Sequence, residues 1–267
     1  MPRVPVYRTV LALAGLLLLS ACATTMTTDP DDEAAQQALS RSAWAAASMR
    51  SSDADGWQHQ VFPGKRRSEY RHAYKQGRDA VMVRAHASAS MLRQRVRIEP
   101  AALGQLRFSW LVPSLVAQAD IAQRDADDAP VRLVLVFEGD RLRFSAKDTA
   151  LSDLSEALTG EPLPYATLMY DWSNRHPEGS VVRNPRTSRI RKIVMETGEG
   201  RLNRWLDYER DVRADFVSAF GEPPGALLGI GIMTDTDTDN TQSRAQAWYG
   251  ALEHRPRVAR SRTAQAD

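Results

Sequence analysis

The chain has 267 residues, of which 43% are hydrophobic and 25% are charged. Its 35 basic and 33 acidic residues give a formal net charge of +2. This balance argues against a nucleic-acid-binding protein, which normally presents a basic stripe of one sign. The single cysteine excludes a disulfide within one chain. The length suits one large domain or two small ones.

The first 21 residues resemble a lipoprotein signal peptide. Arg3 and Arg8 form a short basic segment, residues 10–20 form an apolar run, and the sequence "LSAC" ends at Cys22. The apolar run is too short to cross about 30 Å of hydrocarbon comfortably as a helix. Cys22 stands where a lipid would be attached. We therefore predict a mature protein that begins at a lipidated, palmitate-bearing Cys22, with a plain secretory signal as the alternative.

The residue after the cysteine is Ala23 rather than Asp, as in bacterial lipoproteins that are sent to the outer membrane. We therefore predict a lipid-anchored protein at the periplasmic face of the outer membrane, so that the membrane is its first partner. Removal of residues 1–21 takes away two arginines and leaves 33 basic and 33 acidic residues. A formally neutral periplasmic chain again argues against nucleic acid as a partner.

Composition divides the mature chain into three parts. Residues 22–55 are small, polar and alanine-rich, which predicts a tether with one short helix around residues 33–49. Residues 56–254 carry recurrent apolar runs and are predicted to form a single domain. Residues 255–267 lack apolar periodicity and are predicted to be disordered.

Short apolar or alternating runs bounded by turn residues predict about ten strands, most of them antiparallel. They include "AVMVRAHAS", "MLRQRVRI", "QLRFSWLV", "VRLVLVF", "RIRKIVMET" and "ALLGIGIMT". In "VFEGDRLRF", residues 138–140 predict a hairpin between two strands.

Two segments have helical features. "TALSDLSEAL" starts at Thr149 and is followed by Gly160, and residues 203–220 repeat apolar side chains every three or four positions before Gly221. The predicted fold is mainly β: a two-sheet antiparallel sandwich, jelly-roll-like, with one or two packed helices.

Several motifs resemble an uncharacterised bacterial family known as domain of unknown function 3047. They are "DDAP" before a buried strand, "RDVRADF" before "FGEPP", and an Asp-Thr-Asp-Asn-Thr run that carries an extra Thr-Asp pair here. The resemblance covers residues 57–253 and implies a secreted β-sandwich without a known activity. The order of strands also resembles that of carbohydrate-binding modules, whose sandwich often holds a structural calcium.

Two acidic clusters are candidates for a structural calcium site. Asp235, Asp237 and Asp239 alternate in "TDTDTDN", a spacing from which carboxylates can converge on a hard cation. Asp127 and Asp128 precede a buried strand and would share the site if the two clusters meet in space. Arginine pairing or plain solvation is the alternative for the first cluster, and control of the turn is the alternative for the second.

Alternating arginines suggest an anionic ligand. Arg93, Arg95 and Arg97 would lie on one face of a strand, where they could bind phosphate or uronic acid groups of the envelope. A solvated face with cross-strand acidic partners is the alternative reading. Tyr170 and Trp172 also share a strand face, where they are candidates for an exposed pair on which a sugar ring stacks, although core packing is the favoured interpretation.

Catalysis has little support in the sequence, which contains neither a G-x-S-x-G elbow nor an H-E-x-x-H motif. Glu209, Asp211 and Asp215 could supply paired carboxylates, but helix spacing favours their pairing with arginine. We therefore expect non-catalytic binding of a glycan or another envelope component. The alternatives are an Asp/Glu-dependent envelope glycan hydrolase and a scaffolding lipoprotein that binds another protein. The oligomeric state does not follow from the sequence.

Overall fold

The computed structural model describes residues 56–237 and 243–257. The signal segment, Cys22, the tether and Asp239 therefore lie outside the described residues, as does most of the C-terminal tail. Among the helices of the described part, none is long and apolar enough to cross a membrane.

Two β-sheets make up most of the described chain. Their strands are β1 (Trp57–Val61), β2 (Glu69–Lys75), β3 (Arg78–His86), β4 (Ala89–Ile98), β5 (Gln105–Leu111), β6 (Ala129–Phe137), β7 (Ala166–Ser173), β8 (Val181–Arg183), β9 (Ile190–Thr197), β10 (Trp205–Asp211), β11 (Leu227–Asp235), β12 (Arg244–Tyr249) and β13 (Glu253–Arg255). The larger sheet has the order β1-β4-β11-β6-β7-β9-β8, and the smaller has the order β10-β5-β12-β3-β2 with β13 beside β5. Pairing is antiparallel apart from the parallel pair of β7 and β9. The predicted mainly β, two-sheet antiparallel sandwich with packed helices is confirmed.

Both helices are defined by caps at their two ends. Helix α1 (Ala146–Thr159) begins after Ser145, whose hydroxyl accepts a hydrogen bond from the backbone N–H of Asp148. Helix α2 (Val212–Phe220) begins after Asp211, whose carboxylate accepts one from the N–H of Ala214. Gly160 and Gly221 end the helices in the left-handed conformation that glycine adopts without a steric penalty.

Two local predictions were wrong. Residues 138–140 do not form a hairpin, because Asp140 caps a short 3₁₀ helix (Arg141–Arg143) by accepting a hydrogen bond from the N–H of Leu142. The helical pattern from residue 203 is a helix only in its second half, because β10 pairs with β5 along its whole length. Asp211 then ends the strand and caps the helix.

The main core lies between the two sheets. In β6, Leu133 and Leu135 face this core, whereas Val134 and Val136 point to the opposite face of the larger sheet. The smaller sheet contributes apolar and aromatic side chains to the same core, among them Val81, Val83, Phe108 and Trp110.

The outer face of the larger sheet is covered at its two ends by different segments. At one end, residues 112–128 lie against β9, where the Lys192 ammonium donates a hydrogen bond to the carbonyl of Ile121. At the other end, the segment that follows α1 is held against β4 by an ion pair between Arg93 and Glu161. A groove remains between these two covers.

Candidate ligand-binding sites

The outer-face groove has an apolar floor. Met91 of β4, Met233 of β11, Val134 of β6 and Met169 of β7 lie beside one another on four adjacent strands. The cavity has a volume of about 270 Å³. Methionine side chains are flexible and polarisable, so they adapt to the shape of an apolar guest.

Two glycines of β11 deepen this floor. A Cβ atom added to Gly231 would overlap Sδ of Met91, and one added to Gly229 would lie 2.9 Å from a methyl carbon of Val136. An added side chain at either position would displace Met91 or Val136, so the two glycines leave room for these side chains. The "GIGI" pattern of β11 places its isoleucines in the core and its glycines under the groove.

The walls of the groove come from separate segments of the chain. Phe62 and Pro63 follow β1 on one side, and residues 161–164 follow α1 on the other. The two guanidinium Nη atoms of Arg93 each donate to one carboxylate oxygen of Glu161, both at 2.8 Å. These hydrogen bonds hold the pKa of the Glu161 carboxyl below its usual value. The ion pair thus fixes the wall on the α1 side.

The three alternating arginines, which were candidates for binding an anionic ligand, do not form an open anion-binding face. Arg93 and Arg95 both bind Glu161, and Arg97 contacts Glu99 and Glu138. Acidic partners from neighbouring segments neutralise these guanidiniums, as the alternative reading expected. Arg93 nevertheless belongs to a site, because it forms part of the rim of the outer-face groove.

The two acidic clusters meet in space. Asp128, Asp235 and Asp237 each place a carboxylate oxygen within 4.8 Å of the others. The meeting follows from the pairing of β11 with β6, which sets Asp235 opposite Ala129. The ammonium group of Lys65 contacts Asp237, and the Arg132 guanidinium lies 3.8 Å from Asp235. The protein therefore supplies two cations to three carboxylates.

Asp127 belongs to a neighbouring buried ion network that consists of Asp127, Arg132, Asp171 and Lys192. The Asp127 carboxylate accepts hydrogen bonds from Arg132 at 2.7 Å and from Lys192 at 2.5 Å. The Nε atom of Arg132 lies 3.6 Å from Asp171, whose two oxygens accept no hydrogen bond. Burial raises the pKa of Asp171 and lowers that of Lys192. The signal of this network in the sequence is Lys192 and Asp171, which stand among the apolar residues of their strands, and our prediction did not use it.

Calcium is not expected to stabilise the protein. Burial raises the pKa of Asp235 well above its usual value, and the neighbouring Asp237 and Asp128 carboxylates act in the same direction. Lys65 and Arg132 already supply cations to the cluster, and Arg132 is shared with Asp127 and Asp171.

A structural ion at 100 times its Kd would add about 2.7 kcal/mol, or several degrees in Tm. We expect the thermal unfolding curve of the mature chain to be the same with millimolar calcium and with excess chelator. A calcium-dependent rise in Tm that Asp237→Ala abolishes would contradict this account and support the structural ion.

Tyr170 and Trp172 are not an exposed stacking pair, and the core packing favoured for them is confirmed. Their side chains are 0% and 1% exposed and belong to the main core. The Tyr170 hydroxyl donates to Asp215 at 2.7 Å, and the Trp172 indole N–H donates to the carbonyl of Gly198 at 3.0 Å. Both residues do share one strand face, but it is the inner face of the larger sheet.

The carboxylates considered for catalysis have structural partners. Glu209 pairs with Arg107, Asp211 caps α2, and Asp215 binds Arg210 and Tyr170. Hydrogen bonds from Arg107 lower the pKa of Glu209. A general acid needs a raised pKa to be protonated near neutral pH, so Glu209 does not have the property required.

The fold defines a mainly β protein with a two-sheet sandwich and an open groove on one outer face. The chain belongs to the family described as "Protein of unknown function (DUF3047)", whose model matches residues 55–253, so the resemblance seen in the sequence is confirmed. No curated protein matches the chain.

Two solved structures are similar to the chain at low sequence identity. One is the xyloglucanase domain of NopAA, a type three effector from Sinorhizobium fredii, in complex with cellobiose. It is 5% identical, with 75% of this chain and 96% of that chain covered and a TM-score of 0.35. The other is a non-crystalline cellulose specific carbohydrate-binding module, CBM28, which is 12% identical with 77% and 90% covered and a TM-score of 0.35. At these scores neither likeness supports an inference about what this chain binds.

Proposed function

We propose that the mature protein is lipid-anchored through Cys22 at the periplasmic face of the outer membrane and binds an envelope component without catalysis. In this proposal the outer-face groove receives an apolar group of the ligand, such as an acyl chain. The observation that carries the proposal is the floor of Met91, Val134, Met169 and Met233 between two covered ends of the sheet.

Exposure of apolar surface to water is unfavourable, and a ligand that covers this surface removes the cost. Apolar grooves with fixed walls are therefore often binding sites. The volume of about 270 Å³ is slightly below the range for ligand pockets, about 300–1,000 Å³. It therefore suits one chain or one ring rather than a long polymer. Arg93 and Glu161 place a polar rim beside the apolar floor, which fits a ligand with a polar end.

An acyl chain fits the described residues better than a glycan does. Sugar rings stack on open aromatic faces, but Tyr170 and Trp172 are buried. Two partly exposed indoles, Trp205 and Trp248, have the cations of Arg78 and Lys75 over their rings, and the open ring of Tyr74 lies outside the outer-face groove. We therefore propose an acyl chain as the ligand and include glycans in the experiment as the competing ligand class.

The proposal is tested with a series of n-alkanoates of increasing length, titrated into the mature chain by calorimetry. Each buried methylene contributes about 0.8 kcal/mol, so Kd is expected to fall about fourfold for each carbon until the groove is full. Cellobiose and a soluble envelope glycan are measured alongside. Saturable binding of a sugar with no dependence of Kd on alkyl length would replace the acyl proposal by the glycan alternative.

Anchoring is tested by Cys22→Ser in cells that produce the full chain. We expect the wild-type protein to incorporate an alkyne-labelled palmitate and to sediment with outer membranes. The variant is expected to lose both the label and the membrane association, because its side chain cannot form the thioether that carries the lipid. If the variant kept both the palmitate label and its membrane association, the assignment of Cys22 as the lipidated residue would be contradicted.

A further inference from the structure

A second depression lies on the outer face of the smaller sheet, away from the outer-face groove. It has a volume of about 550 Å³ and is lined by β2, β3, β12 and the residues that precede β2 and follow β5. Its charged and polar lining residues, which we call the basic depression, are Arg66, Arg67, Glu69, Arg84, His86, Ser88, Ser114, Arg244 and Gln246. Four of these nine residues are arginines.

Strand register brings the arginines within reach of one small ligand. Arg244 of β12 lies opposite His86 of β3, and Gln246 lies opposite Arg84. Arg84 and Arg244 are therefore diagonal neighbours on the same face, a relation that separates their Cα atoms by about 7–8 Å. Long side chains span this separation, so two guanidiniums can converge on one anion.

The arginines of the basic depression have no acidic partner within the described part of the chain. Glu69 lies opposite Arg84 in the pairing of β2 with β3, but its carboxylate forms its ion pair with Arg71, which is not a lining residue. Arg93, Arg95 and Arg97 on the other sheet differ, because each contacts a glutamate. Among the described residues, the three arginines of β4 are thus paired with carboxylates, whereas the four arginines of the basic depression form no ion pair.

Uncompensated guanidiniums in a concave surface repel one another and attract oxyanions. The planar fork of arginine matches the oxygens of phosphate in two parallel hydrogen bonds, and Gln246 adds a polar group beside it. We propose that the basic depression binds a phosphate group, carried either by a soluble phosphorylated envelope component or by a lipid headgroup. This site is independent of the outer-face groove and does not rest on the acyl proposal.

The test measures pyrophosphate binding to the mature chain by calorimetry at low ionic strength. The double variant Arg84→Gln/Arg244→Gln is compared with Arg95→Gln/Arg97→Gln. The second pair removes the same formal charge from exposed arginines that already have acidic partners. Circular dichroism confirms that both variants fold. Vesicles of phosphatidylcholine with and without phosphatidylglycerol, titrated in the presence and absence of pyrophosphate, distinguish the two phosphate sources.

We expect saturable binding in the wild type, a Kd raised at least about tenfold in the first double variant and a Kd within about twofold of wild type in the second. Binding to phosphatidylglycerol vesicles that pyrophosphate displaces would support the site and assign the lipid source, whereas binding of pyrophosphate alone would assign the soluble source. Equal weakening in both double variants, or the absence of saturable pyrophosphate binding, would overturn the proposal, because either result indicates diffuse charge attraction.

Discussion

Replacement of Arg132 by methionine is expected to lower the free energy of unfolding by about 3–5 kcal/mol, the usual cost of breaking a buried ion pair from one side. The side chain is buried, and its guanidinium faces Asp127 at 2.7 Å, Asp171 at 3.6 Å and Asp235 at 3.8 Å. These carboxylates raise the pKa of Arg132 above its usual value although burial acts in the opposite direction. Without the guanidinium, Lys192 remains as the cation nearest to Asp127.

The matched control for this prediction is Arg107→Met, which removes an exposed arginine from its pair with Glu209. Exposed ion pairs contribute about 0–1 kcal/mol, so this variant is expected to unfold at nearly the wild-type urea concentration. Urea denaturation followed by circular dichroism measures both variants. Equal and small losses of stability would show that the carboxylates of the buried ion network are protonated and need no cation.

Replacement of Trp172 by alanine is expected to cost about 3–5 kcal/mol, as in other large-to-small substitutions of buried aromatic residues. The indole is 1% exposed and sits in the main core, where its N–H group also donates to a backbone carbonyl. Removal of the ring leaves a cavity and an unsatisfied acceptor. The same urea denaturation experiment measures this loss.

Tyr74→Ala is the control for Trp172, because the Tyr74 side chain is 64% exposed. Surface substitutions of this kind change stability by about 0.5 kcal/mol or less. If Trp172→Ala unfolded at the same urea concentration as Tyr74→Ala, Trp172 would not be a core residue, and a role as an exposed stacking surface would return.

The sequence predicted most of the fold because alternation of apolar and polar residues reports strands directly. It failed where two periodicities overlap. The spacing of Trp205, Tyr208 and Val212 suits one face of a helix, but pairing of β10 with β5 makes the first part a strand. Pairing with β5 decides between strand and helix for this segment, and β5 lies about 100 residues earlier in the chain.

The candidate sites were predictable only in part, because sequence spacing shows which residues share a face but not which face is open. The spacing of Tyr170 and Trp172 shows that they share a strand face, and the structure shows that this face is the inner one. The methionines of the outer-face groove were not among the predicted site residues, because apolar residues in strands do not show which sheet face is left uncovered. By contrast, the condition that the two acidic clusters should meet is fulfilled at Asp128, Asp235 and Asp237.

The assignment of the outer-face groove as the ligand site is tested most directly by substitutions that fill the groove. Gly231→Val places a branched side chain where Sδ of Met91 lies, so the methionine must move into the cavity. Gly200→Val adds the same side chain at an exposed turn where an added Cβ meets no atom within 4 Å. Val136→Thr is a milder change that puts a hydroxyl group at the edge of the floor.

The measurement is the fluorescence titration of the mature chain and these three variants with 11-(dansylamino)undecanoic acid, after circular dichroism has confirmed folding. We predict saturable binding by the wild type and by Gly200→Val, a Kd about tenfold higher or more for Gly231→Val, and a smaller increase for Val136→Thr. Unchanged affinity in both Gly231→Val and Val136→Thr, or no binding by the folded wild type, would contradict the assignment of the groove as the ligand site.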